Sequence, residues 1–354
     1  MENSRRRKFL RVLVATSLFG GTGCSTDISG SRDSGTDPRT SIDETSGSSS
    51  EGTGTLLKDP TTRSSPSTTS APSSGQFHTQ TRTGSSTSTK GNGSLKEYSL
   101  PKFAAGDGDP GDRFGSGVAT SGRTIVVGAE SDEDPNGGQG GAAYVFGRRS
   151  GSVVQQAKLA PEAGNPGGHV GKTVAIVGET VVLGADDRLE DGAQPGAAYV
   201  FERTGESWSE RTKLVPEDRA ALDRFADSLA VSENTVIGGA PFADEPNGEN
   251  AGAAYVFERS GGSWAQTAKL VAPDGDPKDN FGTSVALAGE TALVGASSDE
   301  DRNGPESGSV YVFERAKGSW THRATLAPDD GMAGMGFGWT VALSNRTALV
   351  GAPF

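Results

Sequence analysis

Two acidic loops carry the spacing most suited to chemistry. Asp132-Glu133-Asp134-Pro135-Asn136-Gly137 and Asp299-Glu300-Asp301-Arg302-Asn303-Gly304 share the order Asp-x-Asp-x-Asn-Gly. That order sets side-chain oxygens at alternate positions before a tight turn, as a hard cation requires. Asp132, Asp134 and Asn136, with Asp299, Asp301 and Asn303, are therefore the candidate calcium ligands. The match is partial, because the twelfth place, where an EF-hand loop needs glutamate, is Ala143 in the first loop. The plainer reading of the same residues is an Asx-rich turn on a solvated acidic surface. A second acidic set, Asp107, Asp109 and Asp112 with the matching Asp274, Asp276 and Asp279, poses the same choice.

Other chemistry finds less material. Gly167-Gly168-His169-Val170-Gly171-Lys172-Thr173 ends like a phosphate-binding loop, but Pro166 stands where the first glycine belongs. The run also opens a strand, whereas a phosphate loop needs a helix after it. His169 and His322 fall at places occupied in other repeats by Arg113, Arg224, Asn280 or Gln266, so both are expected at variable surface positions. No Ser-His-Asp, Cys-His or metal-ligand constellation can be assembled from this inventory. The expectation is a protein without catalytic activity, and with no cofactor beyond calcium.

The chain has 354 residues, 52 of them glycine, with 45 acidic against 33 basic side chains and a net charge of −12. Phosphates would be repelled and there is no basic stripe, which argues against nucleic acid as partner. Many hydrated carboxylates also suit solubility at high salt. Arg5-Arg6-Arg7-Lys8-Phe9-Leu10-Arg11 precedes an apolar run from Val12 to Gly23. That run is too short for a bilayer, which needs ~20 residues, and reads as a signal peptide over residues 1–24. Arg6-Arg7-Lys8-Phe9-Leu10 resembles a twin-arginine export signal. Cys24, the only cysteine, follows Thr22-Gly23; this ending resembles a lipoprotein cleavage site, which implies lipidation of Cys24 and anchoring at a membrane surface.

Residues 25–94 are mostly Ser, Thr, Gly and Asp with scattered Pro. They cannot bury enough apolar surface to offset ~1–2 kcal/mol of backbone entropy per residue, and are expected to form a disordered stalk. Its composition suits O-glycosylation, and Asn92-Gly93-Ser94 is an N-glycosylation sequon at its end.

Residues 95–354 are organised by repetition. A Phe-Gly position falls at Phe114, Val170, Phe225, Phe281 and Phe337, at intervals of 56, 55, 56 and 56 residues. A Gly-Ala glycine follows at Gly128, Gly184, Gly239, Gly295 and Gly351, and a Tyr-Val-Phe tyrosine at Tyr144, Tyr199, Tyr255 and Tyr311. Each unit reads as four short strands bounded by Gly, Asp, Asn or Pro. Four antiparallel strands repeated in tandem are what a propeller blade requires, so an all-β propeller is expected. The Gly-Ala glycine is expected to let neighbouring sheets approach closely. Trp208, Trp264 and Trp320, replaced by Val153 in the first unit, are expected to pack one blade on the next.

Phe337-Gly338 with Gly351-Ala352-Pro353, and Gly239-Ala240-Pro241, resemble the FG-GAP repeats of integrin alpha-subunit propellers and of related microbial surface proteins. In the integrin-type repeat an Asp-rich calcium loop joins the two landmarks. Here that connection is only Ala288-Gly289-Glu290 or its equivalents, so the family's calcium site does not carry over. The reading is a lipid-anchored cell-surface β-propeller that binds a protein or glycan through loops at one rim, in adhesion or recognition. An exported enzyme acting on polysaccharide and a structural envelope protein are the alternatives. Four units are complete and the fifth stops after two strands, which suggests a truncated chain with the Gly351 strand as an open edge. Tyr98 to Phe103 matches a unit's final strand and is expected to serve the last blade.

Overall fold

A computed structural model describes Arg11–Ala15 and residues 102–354, apart from 134–139, 150–151, 163–166, 190, 245, 302 and 345–346. Apart from Arg11–Ala15, the segments read as signal and stalk, Cys24 included, lie outside the described residues. Within them the repeats build four antiparallel sheets of four strands each, in chain order. The first contains β2 (Phe114–Ser121), β3 (Thr124–Ala129), β4 (Ala142–Arg149) and β5 (Ser152–Leu159). The second contains β6 (Thr173–Val177), β7 (Thr180–Ala185), β8 (Ala197–Thr204) and β9 (Ser207–Leu214). The third contains β10 (Ser228–Val231), β11 (Thr235–Ala240), β12 (Ala253–Ser260) and β13 (Ser263–Leu270), and the fourth β14 (Phe281–Ala288), β15 (Thr291–Ala296), β16 (Ser309–Ala316) and β17 (Ser319–Leu326). These are blades of the expected propeller type.

The apolar cores lie between the sheets, because each sheet turns alternate side chains to its two neighbours. Val200 and Leu214 of the second sheet pack with Phe225, Tyr255 and Phe257 of the third. Val256 and Leu270 of the third pack in the same way with Phe281, Tyr311 and Phe313 of the fourth. Trp208, Trp264 and Trp320 lean on these inter-sheet cores, and Val153 takes that place in the first sheet. The tryptophans are blade-to-blade packing, as their recurrence suggests.

The junctions themselves are made by backbone. The amide of the residue at the Phe position donates to a carbonyl of the preceding repeat: Val170 to Gly140 at 2.8 Å, and Phe225 to Pro195, Phe281 to Ala251 and Phe337 to Ser307 at 2.9 Å. Beside each bond lies a glycine in the left-handed region, Gly141, Gly196, Gly252 or Gly308, with φ of 82°, 83°, 87° and 80°. The Gly-Ala glycine is equally constrained: a Cβ on Gly128, Gly239 or Gly295 would stand 1.9, 2.0 or 2.1 Å from a carbonyl oxygen of the next sheet. A hydroxyl completes the junction, with Ser116, Thr173, Ser228 and Ser284 donating to the carbonyls of Gly171, Ala226, Gly282 and Gly338.

Ala226 is the exception at the Phe-Gly glycine, where Gly171, Gly282 and Gly338 all adopt positive φ; it holds φ 68° while fully buried. A Cβ there costs ~1 kcal/mol or more in backbone strain. Ala226→Gly is expected to stabilise the protein by about 0.5–1 kcal/mol, the lost methyl contact offsetting part of the gain. The check is a higher urea midpoint; a lower one would show that the buried methyl matters more than the strain.

The fifth sheet corrects one expectation. Its strands β18 (Thr340–Ser344) and β19 (Thr347–Ala352) pair as expected, but β19 also pairs antiparallel with β1 (Arg11–Ala15), Arg11 opposite Ala352 and Ala15 opposite Ala348. The Gly351 strand is thus an inner strand of the sheet, because an unpaired edge accepts any short extended segment that can complete its hydrogen bonds. Residues 98–101 lie outside the described residues, and Lys102–Ala105 form no strand. Phe103 packs instead on Phe146 of the first sheet, ring centroids 4.8 Å apart. It sits against the following sheet as Leu270 does against the fourth.

Candidate functional site

The acidic residues converge at one end of the sheets, where in the first three the tyrosine of the Tyr-Val-Phe strand faces the lysine of the adjacent last strand. Tyr144 is registered with Lys158, Tyr199 with Lys213 and Tyr255 with Lys269. In the first sheet Tyr144 donates to Asp132, while Lys158 reaches Asp132 at 2.7 Å and Asp107 at 2.9 Å. In the second, Lys213 binds Asp187 at 2.5 Å and Arg219 binds the same carboxylate at 2.8 Å. In the third, Lys269 binds Asp218 at 2.6 Å. Each ammonium also lies over its tyrosine ring, 5.3–5.4 Å from the centroid.

The electrostatics follow from this packing. Burial, reinforced by the adjoining carboxylates, pushes the Tyr144, Tyr255 and Tyr311 phenols up, so they keep the proton with which they can donate. Lys158 lowers Asp107 below the usual carboxylate range. Burial alone would depress the Lys158 ammonium, but Asp132 and Asp107 hold it above its ordinary value. Asp132, 2% exposed, is therefore a structural partner of Tyr144 and Lys158 and does not face outward from a loop.

The fourth sheet breaks the pattern. Thr325 stands opposite Tyr311 where the other sheets have lysine. Tyr311 still donates to Asp299 at 3.0 Å, but among the described residues no ammonium joins them. Burial raises the Asp299 carboxyl, with Asp274 and Asp301 adding to the effect. Asp279, 4% exposed, is pushed up to about 6 by burial and then by Asp299, Asp276 and Asp274. Its Oδ2 accepts the Asp276 amide at 2.6 Å, a turn repeated by Asp112 with Asp109 and by Asp223 with Ala220. Next to this cluster, between the third and fourth sheets, opens a cleft of about 380 Å³. Carboxylates and carboxamides dominate its lining (Asn250, Asp276, Asp279, Asn280, Glu300 and Glu306), with Lys278, Ser298, Phe242, Pro277 and Pro305 completing it.

The remaining sequence candidates are placed as follows. Asp134 and Asn136 lie outside the described residues. Asp301 and Asn303 form an Asx turn: Asp301 accepts the Asn303 amide at 2.6 Å and the Ser307 hydroxyl at 2.5 Å, and the Asn303 carboxamide donates to the Pro328 carbonyl at 3.0 Å. Asp299 is turned away from them to Tyr311. Among the described residues no three His, Cys, Asp or Glu side chains are grouped to hold a metal ion.

His169 Nδ1 meets Asp186 at 2.8 Å, and Lys172 binds both Asp186 and Asp227. Burial would raise Asp186, yet Lys172 and His169 hold it low. A phosphate at this loop would meet those carboxylates, and Thr173 opens β6. His322 lies tilted against Tyr311, ring centroids 5.8 Å apart, and reaches Thr325 at 3.1 Å.

Sequence reasoning missed one feature of these residues. Arg113, His169, Arg224 and Asn280 all adopt φ of 51–56°, and Gly336 follows at 64°. The position before Phe-Gly is variable in type because its backbone, and no common side-chain contact, makes the turn.

The FG-GAP repeat family matches residues 100–146, 153–201, 208–257, 264–313 and 320–354. The chain belongs to the FG-GAP repeat family. No curated protein matches it significantly. Among solved structures it is similar to the periplasmic gluconolactonase PpgL of Pseudomonas aeruginosa, at 16% identity and TM-score 0.42, over 61% of this chain and 58% of that one. It is also similar to a protein described as a candidate 6-phosphogluconolactonase from Bacteroides uniformis, at 13% identity and TM-score 0.39, over 61% of this chain and 57% of that one. The chain thus spans less than two thirds of either structure. FG-GAP units are matched from the end of one sheet into the next, the same offset that seats Leu270 and Phe103 on the following sheet.

Proposed function

We propose that this FG-GAP protein is a cell-surface binding module, anchored through lipidated Cys24, whose ligand is a glycan held in the cleft between the third and fourth sheets. The cleft carries the reading. Its carboxylates and carboxamides can accept from and donate to sugar hydroxyls, while Phe242 and two prolines offer apolar faces to a ring. At the other three tyrosines a lysine in register engages the nearby acids; at Tyr311 that place is Thr325, and the lysine that lines the cleft, Lys278, reaches Glu249 at 3.8 Å. A glycan array probed with the full chain is expected to give ligands whose binding falls about tenfold in Asn280→Ala, which removes one charge-free hydrogen-bonding side chain from the cleft. Binding to proteins alone, with no glycan retained, would redirect the assignment to a protein partner.

A second reading is favoured by one observation. A carboxyl pushed up to about 6, as Asp279 is, suits a general acid in glycoside hydrolysis. Turnover of a polysaccharide by the purified chain, lost in Asp279→Asn, would establish it.

Anchoring is tested separately. Cys24→Ser is expected to shift most of the protein from the membrane fraction to the medium, since a thioether-linked lipid is the only membrane attachment invoked. Unchanged membrane retention would refute lipidation. A melting midpoint that rises with calcium and falls with chelator would assign calcium to the acidic loops.

A further inference from the structure

A ladder of ion pairs ties the outer strands together, and it has one missing rung. Arg259 of the third sheet binds Glu202 of the second at 2.6 Å, and Arg315 of the fourth binds Glu258 of the third at 2.6 Å. Glu202, Glu258 and Glu314 occupy the residue after Tyr-Val-Phe, and Arg203, Arg259 and Arg315 the one after that. In the first sheet the glutamate position is Gly147. Arg203, which would pair with it, makes no side-chain ion pair or hydrogen bond among the described residues, and its Nε is buried without a partner.

The neighbouring strand changes in concert. Arg211, which also binds Glu202 at 3.1 Å, corresponds in register to Gln156. The Gln156 carboxamide folds over Gly147, its Nε2 2.1 Å from where a Cβ would stand, and its Oε1 is buried without a donor. Between the two sheets this leaves a cavity of about 320 Å³, lined by Gly147, Arg149, Gln155, Gln156, Arg203 and Glu206 among others. Two guanidinium groups and two carboxamides thus surround the place where the other junctions hold a carboxylate.

We propose that this groove between the first and second sheets binds a carboxylate-bearing sugar, such as a uronate. The ligand carboxylate would accept from Arg203, as Glu202 accepts from Arg259, and Arg149 would add charge at the mouth. Gln155, Gln156 and Glu206 supply donors and acceptors for ring hydroxyls, and the volume suits one or two sugar rings. This site is distinct from the cleft between the third and fourth sheets, and its test does not depend on that assignment.

The test is calorimetric titration of the full chain with glucuronate, and with glucose, acetate and glutamate for comparison. Glucuronate is expected to bind in the range of about 1 mM and more weakly as salt is added, with glucose at least about tenfold weaker. Arg203→Gln is expected to lose about tenfold or more in glucuronate affinity. Gly147→Glu should abolish binding by restoring the internal carboxylate, while its circular dichroism stays that of the folded chain. Arg149→Gln, at an exposed position, serves as the second variant should Arg203→Gln not fold. No heat with glucuronate, or equal affinity in wild type and Gly147→Glu, would overturn the site. Acetate or glutamate binding as tightly as glucuronate would overturn the sugar assignment.

Discussion

Replacing Gly239 with alanine is expected to separate the third sheet from the fourth. The added methyl would lie 2.0 Å from the Gly282 carbonyl oxygen and 2.4 Å from the Ser228 hydroxyl, and that hydroxyl donates to the same carbonyl at 2.9 Å. Overpacking costs ~1–3 kcal/mol when side chains can give way. Here both neighbours belong to the junction, and moving Gly282 also strains the adjoining Phe281 amide bond to Ala251. A loss above about 3 kcal/mol is therefore expected.

Gly178→Ala is the control, because Gly178 turns a hairpin at φ 55° with nothing within 4 Å of its Cβ position. It should cost only the ~1 kcal/mol of a left-handed alanine. Sheets that repeat in tandem need not unfold together, so amide hydrogen exchange is the better measure. Protection should fall in β11 and β14 of Gly239→Ala before it falls in β3. Equal losses in the two variants would show that the junction yields more easily than its geometry implies.

Asp279→Asn is expected to stabilise the protein above pH 6 and to leave it unchanged below pH 3.8. The Asp279 carboxyl is raised from 3.8 to about 6 on folding, mainly by burial, so between those values the native state binds a proton that the unfolded chain has released. Below 3.8 both states are protonated and the group contributes nothing. Through the window the native state loses stability as pH rises, and above about 6 the full cost of the ionised, buried carboxylate is present. The gap corresponds to a cost on the order of 2–3 kcal/mol. Asparagine removes the charge and keeps an oxygen for the Asp276 amide.

Asp107, Asp186 and Asp218 are lowered and give the opposite slope, so the informative quantity is the difference between wild type and variant at each pH. Chemical unfolding from pH 4 to 8 would measure it. A difference that does not change with pH would place the Asp279 titration in its ordinary range.

The architecture was legible because it is periodic. Phe-Gly, Gly-Ala, Tyr-Val-Phe and the tryptophans recur at one spacing, and a strand placed in one unit is placed in all. The acidic chemistry was less legible. Asp132 and Asp299 sit in loops whose spacing suits a cation, and only the strand register reveals the buried tyrosine that each one faces. Three strands meet at every such cluster, so the Lys158 and Thr325 difference carries no meaning until β4 and β16 are paired with their partners.

The hydroxyl at each junction was hidden for another reason. Ser116 follows Phe114 by two residues, whereas Ser228 and Ser284 follow Phe225 and Phe281 by three. The pairing irregularity is the same in the two sheets, between Phe114 and Val118 and between Phe281 and Ser284, so the hydroxyl has moved by one residue along an unchanged register. The Arg-Glu ladder did leave a signal: Glu202-Arg203, Glu258-Arg259 and Glu314-Arg315 are repeated dipeptides, and Gly147-Arg148 breaks the series. Its meaning lies in pairing between repeats, which periodicity alone does not disclose.

The inter-sheet junctions have a consequence for how such a chain can change length over generations. Each is formed by an amide that donates backward, a hydroxyl that donates forward, their two carbonyls and glycines that recur at the same places, so every unit carries the two complementary halves of the junction on its two sides. A duplicated stretch of one period inserts with both of its halves already matched to whatever unit it meets. Gene duplication can therefore add or remove sheets without inventing a new interface, while the side chains of the loops remain free to diverge.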